Sequence, residues 1–161
     1  MTERTVPLPE PVSILILDCD GVLTDGGMYF DAHGQAMKRF DVKDGLALVR
    51  LAEMGFPTAV VSGDHSPITA ARCAKLRIKH VMLGRMDKQA AVSELLAETG
   101  LPPESAVYVG DDITDLPAMR MVGLGVAVAD AVDAVLAELF GGESGPTPRD
   151  DVTMLAVQVH G

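Results

Sequence analysis

Short, unbroken apolar runs recur along this 161-residue chain at helix-length intervals, and that alternation leaves few folds open. "VSILIL" (Val12 to Leu17), "PTAVVSG", "KHVML", "SAVYVG" and "GLGVAV" read as strands buried on both faces. Between them, Val42 to Met54 carries Val42, Leu46, Val49 and Leu51 at positions suited to a helix and stops at Gly55. Ser66 to Lys75 begins with an N-cap serine followed by proline at the first helical position. Lys88 to Thr99 is an amphipathic helix closed by Gly100, and "TDLPAMRMV" and "DAVDAVLAEL" supply two more. Strands alternating with helices predict an α/β fold, a doubly wound parallel sheet with ligands beyond the carboxyl ends of its strands. One stretch breaks the alternation: "GGMYFDAHGQAMKRF" reads as a β-hairpin over 27–40 that turns at "DAHG".

These elements divide the chain into a Pro-rich leader over 1–11, one domain over 12–140, and a Gly/Pro-rich tail over 141–161. Within the tail, "VTMLAVQV" reads as one more strand with no assigned place. Apolar residues make up 48% of the chain, enough for a packed core, and the nine methionines are expected to fill space inside it. A formal charge of −10 repels a phosphate backbone and argues against nucleic acid as a partner. No apolar run approaches the roughly 20 residues of a membrane span, and the first residues lack a signal-peptide pattern. The expectation is a cytoplasmic protein with no membrane partner.

The chemistry is concentrated where the strands end. Asp18 and Asp20 follow the first strand, Ser62 and Gly63 the second, and Asp111 and Asp112 the fourth, while Lys88 opens the helix after the third. Residues two apart in an extended segment point to the same side, so Asp18 and Asp20 can face one site. Close carboxylates repel, and carboxylates from two strand ends form an oxygen-only site suited to Mg²⁺. Ser62 and the Gly63 amide can donate to an anion, and Lys88 adds a point charge. Metal, donors and lysine describe a phosphate pocket. A carboxylate nucleophile beside a second carboxylic acid suggests phosphoryl transfer through an aspartyl phosphate.

The two cysteines are poor nucleophile candidates. A cysteine-based phosphatase needs arginine six positions on, where Cys19 has Asp25 and Cys73 has Lys79; both thiols are expected to be buried packing. His33 sits in the hairpin turn, where polar turn chemistry is expected rather than ligation; His65 lies beside the second motif, where a surface role is expected ahead of substrate contact, and His80 begins a strand.

"DCDGVLTDG", "VVSG", "DK" and "VGDDITD" resemble, in order, the four motifs of the haloacid dehalogenase-like phosphatase superfamily. "FDVKDG", the hairpin before it, "RC" at Arg72–Cys73 and "VGLGVAVADA" are similar to its 3-deoxy-D-manno-octulosonate 8-phosphate phosphatase branch, and the resemblance covers Ile14 to about Ala134. It implies a Rossmann-like core with a small hairpin flap and no separate cap domain, a homotetramer, and Mg²⁺-dependent hydrolysis of a small phosphorylated sugar acid. Carried over, Asp18 is the nucleophile and Asp20 the general acid/base. Asp18, the Asp20 carbonyl and Asp111 hold Mg²⁺ with Asp112 close by, and Ser62, Gly63 and Lys88 hold the phosphoryl group. Thr24, Lys43 and Asp44 fall where the family shapes its substrate pocket.

Three departures fall on the substrate side. Asp64 stands where many relatives have Arg, Lys43 replaces the Arg of a common "RDG", and Arg149 is the only candidate for an Arg carried by the family's glycine-rich tail. Another sugar phosphate or a nonulosonate phosphate is therefore an alternative substrate. An assembly domain of a sugar-activating system is an alternative function. A signalling receiver fits less well, because its acceptor Asp follows the third strand and it has no use for a second acid two residues from the first.

Overall fold

The strands predicted from their apolar runs form at Ile14–Leu17 (β1), Thr58–Val61 (β4), His80–Met82 (β5), Ala106–Gly110 (β6) and Leu124–Ala127 (β7). Tyr29–Asp31 (β2) and Gly34–Met37 (β3) form the hairpin, and Leu155–Val157 is β8. The helices are Val42–Glu53 (α1), Pro67–Lys75 (α2), Lys88–Thr99 (α3), Leu116–Met121 (α4) and Asp133–Phe140 (α5). This is a computed structural model, and it describes residues 9–140 and 155–157.

The sheet runs β5-β4-β1-β6-β7-β8. The five strands from β5 to β7 are parallel, with β1 central between β4 and β6. β8 answers where the tail's apolar run goes: it pairs antiparallel with β7, Val126 opposite Ala156. Alternate residues of each strand enter opposite layers. Ile14, Ile16, Ala59, Val61 and Tyr108 pack with Ala91, Val92 and Leu95 of α3, Met119 of α4 and Val135 of α5. Leu17, Val60, Val107 and Val109 pack on the other side with Leu48 of α1 and Cys73 of α2. Each fully buried Ile, Leu or Val contributes about 1.5–3 kcal/mol, so the two-sided burial of β1 fixes its register with both neighbours. Among the described residues, no helix is long and apolar enough to cross a membrane.

Two expectations change. Of the α1 positions read as its apolar face, Val42 is 81% and Leu46 56% exposed, while Gly45 and Leu48 are buried. The helix turns its glycine inward because Arg72 of α2 occupies the space a Cβ would need there. Arg72 also donates to the Asp41 carbonyl at 3.0 Å and lies over the Phe40 ring. Nor do the methionines fill the core as a class. Met119 is buried, whereas Met28, Met37, Met54 and Met86 are exposed.

Candidate active site

The carboxyl ends of β1, β4 and β6 and the start of α3 meet around one cavity of about 320 Å³. Asp18 and Asp20 project from the end of β1, and the Asp18 amide donates to the Val109 carbonyl of β6 at 2.9 Å. Glycine is required between these loops. Gly21 has φ +86°, and a Cβ there would collide with the Asp111 carboxylate. Ser62 and Gly63 continue from β4, where the Ser62 amide is held by the Met82 carbonyl at 2.9 Å. Lys88 is the first residue of α3, behind the N-cap Asp87, whose side chain accepts from the Ala90 amide.

Asp18, Asp20, Ser62, Gly63, Lys88, Asp111 and Asp112 all line this cavity. Thr24, Lys43 and Asp44 do not. Thr24 is buried beneath the loop, its hydroxyl accepting from the Gly21 and Gly26 amides at 3.3 and 3.2 Å and donating to Asp20 Oδ1 at 3.4 Å. Lys43 and Asp44 lie exposed in the first turn of α1, after N-cap Asp41. Both cysteines are buried free thiols, and burial pushes Cys19 up to about 12.

Lys88 is the hub of the buried side of the cavity. Its ammonium, 5% exposed, sits 3.0 Å from Asp18 Oδ2 and 2.7 Å from Asp115 Oδ1. Burial opposes its charge, but the two carboxylates outweigh that and hold its pKa above the ordinary value. One ammonium does not balance the three carboxylates gathered here. Asp18, Asp111 and Asp115 each bring an oxygen within 4.8 Å of the others. Burial, then Asp115, pushes Asp18 up to about 6 against the pull of Lys88. Burial, then Asp18 and Asp115, pushes Asp111 up to about 7.

The donor chemistry fits a hard divalent cation. Asp111 Oδ1 is buried with no hydrogen-bond partner, an orphaned acceptor that a cation would satisfy. Asp115, although in the cluster, has its lone pairs committed. Its Oδ1 accepts from Lys88 and from the Tyr108 hydroxyl at 2.6 Å, and its Oδ2 from the Asp111 and Asp112 amides at 3.1 Å each. Asp18 and Asp111 are thus the carboxylates open to a metal, and Asp115 is the brace that aims them.

Sequence reasoning missed Asp115 and Lys38. "DDITD" does carry the signal for the first: Asp112 and Asp115 form a reciprocal capping box around Ile113–Asp115. Lys38, just beyond β3, turns its ammonium onto Asp20 and Asp64, both of which line the cavity. Nothing in "QAMKRF" sets Lys38 apart from the neighbouring Arg39.

A haloacid dehalogenase-like hydrolase family model matches residues 69–139. The 3-deoxy-D-manno-octulosonate 8-phosphate phosphatase of Haemophilus influenzae is 44% identical over 122 residues, covering 76% of this chain and 68% of that one. Its counterpart in Escherichia coli K12 is 42% identical over the same length, covering 76% and 65%. The match thus spans about two thirds of the curated relatives' length. The Moraxella catarrhalis phosphatase of the same name, solved with magnesium, phosphate and KDO, superposes with TM-score 0.74 at 32% identity, covering 78% of this chain and 72% of that one.

Proposed function

Because the chain belongs to the 3-deoxy-D-manno-octulosonate 8-phosphate phosphatase family of haloacid dehalogenase-like hydrolases, we propose that it hydrolyses a small phosphorylated sugar acid, first among them 3-deoxy-D-manno-octulosonate 8-phosphate. The observation that carries this reading is the Asp18–Lys88–Asp115 chain at the sheet edge, beside the orphaned Asp111 oxygen.

Asp18 attacks phosphorus. A bond forms between its carboxylate oxygen and phosphorus while the bond to the sugar oxygen breaks, and Asp20 gives its proton to that oxygen, releasing the alcohol. Asp20, now a carboxylate, takes a proton from water as the water oxygen attacks phosphorus of the aspartyl phosphate. Phosphate leaves and Asp18 is restored. Lys88 holds Asp18 in line and offers a fixed positive charge to the phosphoryl oxygens, which Ser62 and the Gly63 amide also face as donors. Asp18, the Asp20 carbonyl and Asp111 would hold Mg²⁺, with Asp112 adjacent, and the ion would supply charge neutralisation of the phosphoryl group.

Asp64 supports a second reading within the same chemistry. Its carboxylate lines the cavity where a substrate's sugar portion would lie, and it disfavours a second anionic group there. A neutral sugar phosphate is the alternative this favours, and a nonulosonate phosphate, which carries the same carboxylate as the octulosonate, is the other substrate open within this chemistry. Two further parts of the reading are the homotetramer and the domain limits. The hairpin exposes Met28, Phe30 and Met37, apolar surface that copies of the chain would cover together. In this reading residues 12–140 form the catalytic unit. Phosphate release across a panel of sugar phosphates, with and without Mg²⁺, tests the function. Release from the octulosonate phosphate above all others is the expected result, and no Mg²⁺-dependent release from any is the result that overturns it.

A further inference from the structure

Lys38 is the one residue of the hairpin region whose charge is turned inward, onto two residues that line the cavity. Its ammonium lies 2.8 and 2.7 Å from the two oxygens of Asp20 and 2.8 Å from Asp64 Oδ2. Its side chain is 1% exposed, although the hairpin around it is open to solvent. Burying an ammonium is costly unless it is paired and hydrogen-bonded, and here three oxygens from two carboxylates lie within hydrogen-bond distance of it. Three separate parts of the chain thus meet at one nitrogen: the end of β1, the end of β4 and the base of the hairpin.

We infer that Lys38 is a positioning residue that fixes the Asp20 carboxylate for proton transfer, with Asp64 as the second anchor that keeps Lys38 in place. The inference rests on the role of Asp20 proposed above. Asp20 is half-open to the cavity and would otherwise turn about its side-chain torsions. The Thr24 hydroxyl, 3.4 Å from one Asp20 oxygen, is too long a contact to hold it alone. The ionised Asp20 accepts from Lys38 at both oxygens, and the protonated acid keeps Lys38 on one oxygen and carries its proton on the other, so a single ammonium fixes the direction of the group in both states. Asp64 completes the arrangement, because it holds the Lys38 ammonium from a second strand end, that of β4. The acidic residue at 64 therefore has a partner within this chain as well as a view of the substrate.

A positioning role separates two substrates. 4-Nitrophenyl phosphate has a leaving group that departs without a proton, whereas the sugar oxygen of 3-deoxy-D-manno-octulosonate 8-phosphate needs one. In K38M, the first-turnover burst of nitrophenolate is expected to stay within about threefold of the parent, while first-turnover release from the octulosonate phosphate falls on the order of 10²-fold, the scale of general-acid catalysis. Steady-state turnover falls with both, since Asp20 also serves the water step, and phosphoenzyme accumulates with the activated ester. K38R, whose fork reaches two carboxylates, is expected to recover part of the loss. D64N is expected to show the same split, smaller. The retained burst is itself the check that K38M folds.

Equal loss of both bursts in K38M overturns the inference, as does a K38M indistinguishable from the parent. D64N behaving as the parent overturns the part assigned to Asp64. D20N provides the reference. If D20N keeps full activity on the octulosonate phosphate, the mechanism beneath fails. If D20N is inactive and K38M is unaffected, only the role of Lys38 fails.

Discussion

The Tyr108 hydroxyl donates to Asp115 Oδ1 at 2.6 Å in the buried interior, both residues being fully out of contact with solvent. Burial, and then the Asp115 carboxylate, push the phenol far above its ordinary value, so it is a permanent donor. Y108F removes one bond to a charged acceptor that Lys88 and two amides still serve. It is expected to cost about 1.5–3 kcal/mol of stability, with turnover changed by less than about tenfold. Chemical denaturation checks the first and phosphate release the second.

D115N is expected to be much worse than its small change in shape suggests. An amide oxygen can still accept from Lys88, but the amide nitrogen then faces the Asp111 and Asp112 amides, donor against donor. The loop carrying Asp111 loses its anchor. We expect turnover to fall on the order of 10²-fold or more, and a fluorescence titration to show weakened Mg²⁺ binding. Wild-type metal affinity in this variant contradicts the bracing role.

D18N is expected to abolish turnover with the fold intact, because an amide cannot attack phosphorus. Rapid quench should find no phosphoenzyme in it. D20N should trap phosphoenzyme from 4-nitrophenyl phosphate and release it slowly. Chelator should stop the parent enzyme and Mg²⁺ restore it, with Ca²⁺ a poor substitute because its looser coordination misplaces the phosphoryl group.

The stability of the metal-free chain should decline from pH 5 to pH 7.5. Asp18 at about 6 and Asp111 at about 7 both lie above the ordinary 3.8. Each therefore binds its proton more tightly folded than unfolded. That contribution is complete below about pH 4 and is lost as pH rises through the folded values. Melting temperatures in chelator should fall across the window, and saturating Mg²⁺ should flatten the decline by taking the protons' place. A level profile in chelator is the contrary outcome.

Assembly can be tested on the hairpin's open face. Light scattering of the intact chain is expected to report a tetramer. Replacing Phe30 and Met37, 63% and 60% exposed, by serine should give smaller species without unfolding the core, which lies elsewhere. A fully active monomer of the intact chain argues against the proposed assembly.

The sheet and most of its helices were legible because their signals are local. An apolar run bounded by polar residues identifies β1, β4 and β6 as buried strands, and Ser66 with Pro67 marks the start of α2. The strand-end residues were legible for the same reason, since a parallel sheet sends all its carboxyl ends to one edge. The exposed Val42 and Leu46 were misread because periodicity gives a helix's apolar stripe but not which neighbour covers it, and Arg72 decided that from 27 positions beyond Gly45. Lys38 was missed for a related reason. It lies 18 positions from Asp20 and 26 from Asp64, and no spacing rule joins a hairpin base to two strand ends.

Met37 and Lys38 are adjacent, yet one side chain stands in solvent and the next is sealed against the cavity. Neighbouring residues of extended chain cannot turn independently, since rotating the backbone at one swings the other. Any surface that closes over Met37 therefore lies one residue from the ammonium that holds Asp20. The outside of the flap and the ammonium that orients a carboxylate inside it are separated by a single peptide unit.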